Sequence, residues 1–351
     1  MRIIAPAAPS GGLGLRPPEQ PTVLPNPVVW PTASRLSATN RWNHWQARWG
    51  VRRGEHRIAP GLYAVGHPMT KSPVCVTSNY TLSFDALRSA LAGRDAYILV
   101  LDTQGVNVWC AAGKGTFGTD ELVRRIERTG LALVVDHRTL MLPQLGASGV
   151  AAHVVRQRSG FRVQYGPIRA ADLPAYLDAG VATPAMRRVT FTLTERAVLV
   201  PVELVHTLLP MLGGAVVLYL LAGIWGAVGT LAAVLAGVVL FPLLLPWIPT
   251  TDFSSKGLLL GLIAVLPAAL AAYSQGGNLS DWLRLTRSLG LLLGLPAVTA
   301  YLALNFTGST PFTSPSGVKR EMYRYLRPMA TLAALGLILI IASAVGRWLG
   351  G

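Results

Sequence analysis

Cysteine and charge are both scarce in this chain. Two cysteines in 351 residues are too few for a disulfide framework, an all-cysteine metal site or an iron–sulfur cluster. Charged residues make up 13%, against about a quarter in soluble proteins, which excludes an ordinary soluble enzyme. Acids are the scarcer sign, 16 Asp+Glu against 31 Lys+Arg, giving a net charge of +15. What is abundant is apolar: 51% hydrophobic residues exclude disorder throughout. A large basic excess leaves nucleic acid or a membrane surface as the partner.

The position of the charges decides between them. Residues 1–203 hold 23 Lys/Arg and 13 Asp/Glu, whereas residues 204–351 hold 8 and 3. Runs free of Asp, Glu, Lys and Arg extend for 48 residues between Glu203 and Asp252, 24 between Lys256 and Asp281, 31 between Arg287 and Lys319, and 19 between Arg327 and Arg347. A membrane span needs about 20 apolar residues. The first run is long enough for a hairpin turning near Gly223, Gly226 and Gly229, so five spans are expected, over 205–223, 228–248, 257–275, 288–306 and 328–348. If the N-terminal half is cytoplasmic, that side carries Arg187, Arg188, Arg196, Lys256, Lys319, Arg320, Arg324 and Arg327, against Arg284, Arg287 and Arg347 outside. The positive-inside rule thus predicts a multi-pass protein of the cell (inner) membrane with its C-terminus outside. No cleavable signal peptide is visible, and the Pro/Gly-rich start reads as a disordered tail to about Ser34. Apart from Arg347 at the far end of the fifth, no charged residue falls inside an expected span, so the spans read as an anchor, with Pro242, Pro246, Pro267 and Pro296 as kinks. Nucleic acid drops out as a partner.

The front half alternates strands and helices. Strands are expected at Val74–Ser78, Tyr97–Leu101, Leu131–Val135 and Phe161–Tyr165, with Leu140–Leu142 extending the sheet and Val189–Leu193 a last strand. Helices are expected at Ser83–Leu91, Thr119–Arg128, Ser148–Arg158 and Ala171–Ala179. This order predicts an α/β, Rossmann-like parallel sheet, whose ligands bind beyond the carboxyl ends of the strands. The domain plan is a variable tail at 1–44, a cytoplasmic ligand-binding domain at 45–196 and a transmembrane domain at 197–351.

The segment after the strand ending at Leu101 is therefore the place to look. Gly113, Gly115 and Gly118 match G-x-G-x-x-G, and Asp136 follows at the end of the next expected strand. A dinucleotide loop starts at the strand end, whereas here residues 103–112 intervene, so the match carries little weight. Lys114 is followed by Gly115, which excludes a Walker A loop. Within the intervening stretch stands Cys110. In a short helix over Asn107–Ala112 it sits in the body, with Lys114 one turn later. A single cysteine cannot build a zinc site, but it can be one axial ligand to a metal held in a macrocycle. Equally, it can be a buried residue packed with Trp109. Nothing in the sequence places His137 or His153 beside it.

The octapeptide Asn107-Val-Trp-Cys-Ala-Ala-Gly-Lys114, continued by Gly-Thr-Phe-Gly-Thr, resembles the signature of the HgcA family of mercury-methylating corrinoid proteins. That family is related to the large subunit of the corrinoid iron–sulfur protein of the acetyl-CoA pathway. Pro60–Pro68, Ser78–Arg88, Ile98–Cys110, Leu142–His153 and Ser159–Leu177 share the likeness, as does a corrinoid domain followed by five spans; in all it covers roughly residues 45–348. Cys75 and the N-terminal tail depart from the pattern; Cys75 reads as a buried hydrophobe or an auxiliary thiol.

The resemblance implies a methyltransferase using a cobalt corrinoid, cobalamin or a relative, bound base-off. It implies the Cys110 thiolate as lower axial ligand to cobalt and transfer of a methyl group from methyl-cobalt(III) to Hg(II), giving methylmercury. Asn107, Val108, Trp109, Ala111, Ala112 and Gly113 would shape the helix under the corrin. Lys114 would stabilise the thiolate or be a solvated lysine, and Thr77, Ser78 and Asn79 would be further corrinoid contacts. A ferredoxin-like 4Fe–4S partner, HgcB in the family, would re-reduce the cobalt, and methyltetrahydrofolate would be the methyl donor. The basic loop Lys319–Arg327 would meet that partner, the front domain or lipid headgroups. Two further readings stay open: a corrinoid methyl carrier with another acceptor, and a non-catalytic membrane-anchored nucleotide-binding scaffold.

Overall fold

A computed structural model describes residues 27–52, 54–275, 279–310 and 315–349. They form two compact units: residues up to Arg35 with 57–182, and residues 36–56 with 183–351.

The front unit is built on a six-stranded sheet in the order β1-β2-β4-β3-β5-β6. The strands are β1 Val29–Thr32, β2 Gly61–Val65, β3 Val74–Ser78, β4 Ala96–Leu101, β5 Thr139–Leu142 and β6 Arg162–Tyr165. All pairings are parallel except β2 against β4. Every residue of β3 and β4 is buried, as continuous apolar runs covered on both faces require. Helices α2 Thr81–Ala90, α3 Val108–Lys114, α4 Thr119–Arg128, α5 Leu131–Val134, α6 Ala152–Ser159 and α7 Leu173–Ala179 complete the unit. The core gathers Leu62, Val76, Leu99, Phe117, Leu140 and Phe161. This is the α/β architecture expected, with three corrections to its elements. Leu131–Val135 is not a strand: the position beside β3 is taken by β5, Gly130 turns the chain at φ +60°, and Leu133 is 65% exposed. Val189–Leu193 is not a strand either, because Thr192 and Glu195 form a capping box that starts a helix, α8 Leu193–Ala197. Residues 27–44, expected as tail, carry β1 and most of helix Ala38–Arg48 (α1); the rest of the tail lies outside the described residues.

The second unit contains five stretches long and apolar enough to cross a membrane: Leu193–Ala222, Ile224–Leu244, Phe253–Ser274, Asp281–Gly308 and Ser316–Trp348. All five expected spans find their helices. We name the main helices α9 Val200–Ala222, α10 Ile224–Leu235, α11 Phe241–Leu244, α12 Phe253–Ser274, α13 Asp281–Asn305 and α14 Pro315–Trp348. The expected hairpin turns at Gly223 alone, at φ +73°. A wide π turn, Ala236–Leu240, joins α10 to α11 just before Pro242, which has no N–H to continue the ladder. Two Gly-Leu-Leu-Leu-Gly stretches let backbones approach. A Cβ on Gly261 would stand 2.8 Å from Pro296 Cα, and one on Gly336 would stand 2.6 Å from Gly294 Cα. The expectation of charge-free spans needs correction. Helix α13 begins earlier than 288, and Arg287 lies buried within it, its guanidinium donating to the Ala272 carbonyl. Glu321 is buried in α14, accepting from Ser254 N–H (2.6 Å) and Oγ–H (2.8 Å).

Candidate functional site

Helix α3 starts where the loop from β4 ends. Asn107 is its N-cap, its side-chain oxygen accepting from the Cys110 N–H at 2.9 Å. Gly115, left-handed at φ +80°, ends it, and Gly118 is the N-cap of α4, where a Cβ would meet the Gly115 carbonyl oxygen at 2.6 Å. Glycines 115 and 118 thus shape a helix-to-helix corner and not a dinucleotide loop.

The seven residues of α3 divide into two faces. Val108, Ala111 and Ala112 are buried in the core. The chain around Gly149 packs closely on Ala112: a Cβ on Gly149 would sit 3.0 Å from Ala112 Cα. The outward face is Trp109 (41% exposed), partly exposed Cys110, Gly113 and exposed Lys114. Beyond Gly113 the space is open: among the described residues, nothing outside the helix's own backbone and the two chain neighbours lies within 4 Å of where a Cβ would stand.

Beneath the start of α3 lies a cavity of about 340 Å³ at the carboxyl ends of β3 and β5. Thr77, Asn107, Val108 and Trp109 line it, as do Cys75 and Met141, while Cys110 is not among its lining residues. Burial pushes the Cys75 thiol up to about 12, so it is neutral there. Of the two alternatives for Cys75, the structure has a buried thiol in the strand core.

The other expected contacts occupy different places. Ser78 is fully buried, and its hydroxyl has no hydrogen-bond partner among the described residues. Asn79 faces the chain itself. Its Oδ1 accepts from the N–H groups of Thr103 (3.0 Å) and Gly105 (2.9 Å) and lies 2.9 Å from Thr103 Oγ1, while its Nδ2 donates to Asp102 (3.2 Å). It fastens the turn that carries Gln104 and Gly105 at positive φ and leads into α3. His137 is engaged by the Ser72 carbonyl (2.9 Å) and the Thr139 N–H (3.3 Å).

Glu121 has no counterpart among the residues expected from the sequence. Buried at the start of α4, it accepts from Asp102 N–H at 2.9 Å and from the guanidiniums of Arg124 and Arg125. Burial alone would raise its pKa, but these donors outweigh it and hold the carboxyl below its usual range. Its sequence signal, an acid in a first helical turn, was indistinguishable from ordinary dipole compensation. Together Asn79 and Glu121 fix both sides of the β4–α3 connection. Among the described residues no group of three His, Cys, Asp or Glu side chains could hold a metal ion. The one partly exposed sulfur of the site is that of Cys110.

Comparison with known proteins bears on the front unit. Residues 53–177 match the CO dehydrogenase/acetyl-CoA synthase delta subunit family. The gamma subunit of the acetyl-CoA decarbonylase/synthase complex of Methanopyrus kandleri is 33% identical over 128 residues, 36% of this chain and 27% of that protein. The gamma subunit of Archaeoglobus fulgidus is 30% identical over 124 residues, 35% of this chain and 26% of the relative. That of Methanocaldococcus jannaschii is 36% identical over 93 residues, 26% and 19% of the two chains. The expected kinship with proteins of the acetyl-CoA pathway is borne out. The match spans about a quarter of the length of the first two relatives and stops before the five apolar helices.

Proposed function

We propose that this chain is a membrane-anchored corrinoid methyltransferase that passes a methyl group to Hg(II), giving methylmercury. The observation that carries the reading is the outward face of α3. Cys110 stands partly exposed between Trp109 and Gly113 on a capped helix, in a domain related to acetyl-CoA decarbonylase/synthase subunits.

The residues present fit a base-off corrinoid, cobalamin or a relative. Gly113 leaves the face beside Cys110 open, where a side chain would fill it. A single thiolate suits a metal that already has its equatorial ligands. When bound, the corrinoid supplies a cobalt that accepts and releases a methyl group. The protein's part is to hold that chemistry. Cys110 Sγ would hold the cobalt, and a strong sulfur donor there would favour release of a methyl group to Hg(II). Asn107 fixes the start of the helix, Asn79 fixes the loop behind it, and Trp109 bounds the open face. Val108, Ala111 and Ala112 seat the helix on the core, and Lys114 lies one turn beyond the thiol. Thr77 lines the cavity below, where it would meet the cofactor's periphery; Ser78 offers a hydroxyl that no other group among the described residues uses.

Two cysteines cannot hold a cluster, so the reading assigns re-reduction to a separate ferredoxin-like 4Fe–4S protein of the HgcB type. It takes methyltetrahydrofolate as methyl donor. The reading puts the five apolar helices in the cell (inner) membrane, and takes the front unit as cytoplasmic and the C-terminus as outside, supported by the distribution of basic residues along the sequence. A second reading, a methyl carrier whose acceptor is not mercury, is favoured by the relatives, whose names are those of acetyl-CoA enzymes.

Protein purified without oxygen and supplied with cobalamin should carry cobalt, with a visible spectrum that changes in Cys110→Ala. Absence of cobalt would remove both readings. Incubation with Hg(II), reduced ferredoxin and a methyl donor should yield methylmercury. Methyl turnover without methylmercury would leave the second reading alone.

A further inference from the structure

We propose that the groove between α1 and the start of α9 is a binding site for the headgroup of an acidic phospholipid. The inference rests on reading α9 as a membrane span, and is otherwise independent of the corrinoid chemistry.

Helix α1 carries two adjacent stripes. Arg41, His44 and Arg48 recur at helical spacing, and so do Trp42, Trp45 and Trp49 on the neighbouring stripe. The indoles form a ladder, Trp42 on Trp45 with centroids 4.9 Å apart and Trp45 on Trp49 at 5.5 Å. Trp42 and Trp45 stay 57% and 45% exposed, an arrangement that soluble surfaces avoid and membrane interfaces favour. Just past the helix, a Cβ on Gly50 would lie 3.2 Å from Val202, so this end of α1 rests on the first turns of α9.

An open groove of about 550 Å³ runs between these elements. One wall is Arg41, His44, Trp45, Arg48 and Trp49; the other is Thr194, Ala197, Val198 and Pro201, where α8 gives way to the apolar helix. Neither Arg41 nor Arg48 forms an ion pair among the described residues. The acid of α8, Glu195, accepts instead from the Thr192 N–H at 2.7 Å. Two guanidiniums without carboxylate partners supply forks for a phosphate, and the indoles and Val198 supply the apolar wall that an acyl-chain root needs. The groove lies where α9 begins, the depth at which a bilayer presents both groups together, and this continuity selects a lipid over a soluble anion.

The full-length protein, exchanged into nanodiscs of phosphatidylcholine containing some phosphatidylglycerol, can be released and weighed by native mass spectrometry. The wild type should retain phosphatidylglycerol in preference to phosphatidylcholine. Arg41→Gln with Arg48→Gln should weaken that retention about tenfold or more, since each basic residue near an anionic surface contributes about 1 kcal/mol. Arg52→Gln with Arg128→Gln, which removes as much charge elsewhere, should leave it unchanged. Ala197→Trp, which fills the groove and keeps every cation, should also abolish it. Wild-type retention by the Arg41/Arg48 pair or by a correctly inserted Ala197→Trp would overturn the site. So would displacement of the lipid by millimolar inorganic phosphate. Recovery of the wild type from a soluble fraction without detergent would instead remove the membrane reading itself.

Discussion

Asn79 Oδ1 lies 3.0 Å from the backbone nitrogen of Thr103, across the gap between the end of β3 and the loop after β4. The same oxygen accepts from Gly105 N–H, so one buried amide ties Thr103 to Gly105 across a turn in which Gln104 and Gly105 stand at positive φ. Asn79→Ala should leave these donors buried without an acceptor and cost about 1–3 kcal/mol for each group left unmade. Hydrogen exchange of the Thr103 and Gly105 amides should accelerate sharply, and corrinoid retention should fall as the turn leading into α3 loosens. Unchanged exchange at those two amides would show that the turn stands by itself.

The two thiols should separate cleanly by reactivity. Cys75 is buried and its ionisation is pushed up to about 12, whereas Cys110 is partly exposed. Iodoacetamide applied to the folded, cofactor-free protein near neutral pH should label Cys110 and spare Cys75, read by peptide mass spectrometry. A thiol whose folded pKa lies above its ordinary value of about 9 stabilises the fold below that value and ceases to do so as pH rises toward 12. Cys75→Val should therefore flatten the loss of stability across that alkaline window. Labelling of Cys75 at neutral pH would contradict its burial.

How much of this was legible in the sequence depends on what kind of signal each feature leaves. Continuous apolar runs marked β3 and β4, and runs without charge marked the five apolar helices, because burial on all sides needs no partner to be recognised. Leu131–Val135 misled for the same reason: a five-residue apolar run reads as a strand, and only competition with Thr139–Leu142 for the place beside β3 decides otherwise. Cys110 stood out by type and context. Asn79 stands at a strand end that the sequence marks, but its engagement with Thr103 and Gly105 joins residues more than twenty positions apart and leaves no local pattern. Helix α1 did leave one. Ser37 and Asn40 form a capping box before a tryptophan stripe, masked by a Pro/Gly-rich preamble that coloured the whole tail.

Gly113 offers a test of the open face. Its replacement by Ala should be tolerated and even stabilise α3 by about 0.5–1 kcal/mol, since nothing lies within 4 Å of the new methyl group and helical glycine is entropically costly. Gly113→Leu should fold equally well but cover the surface beside Cys110. Cobalt content after anaerobic reconstitution should stay near wild type in the first variant and collapse in the second. Full cobalt loading of Gly113→Leu would mean that the cofactor does not approach this face.

The membrane unit makes a prediction independent of the cofactor. Gly336 of α14 meets Gly290 and Gly294 of α13 so closely that a Cβ would stand 2.6 Å from the Gly290 carbonyl oxygen and 2.5 Å from the Gly294 nitrogen. Both obstacles are backbone, so no rotamer change can relieve them, and the two helices must part. In a bilayer the helices gain little from hiding apolar surface, and association depends on this close packing. Gly336→Leu should therefore loosen α14 from α13, seen as lower thermal stability in detergent and as faster hydrogen exchange in α14. Gly308→Ala, where nothing lies within 4 Å of the added group, should leave both unchanged. Equal stability of Gly336→Leu and wild type would refute the α13–α14 contact as the element that closes this bundle.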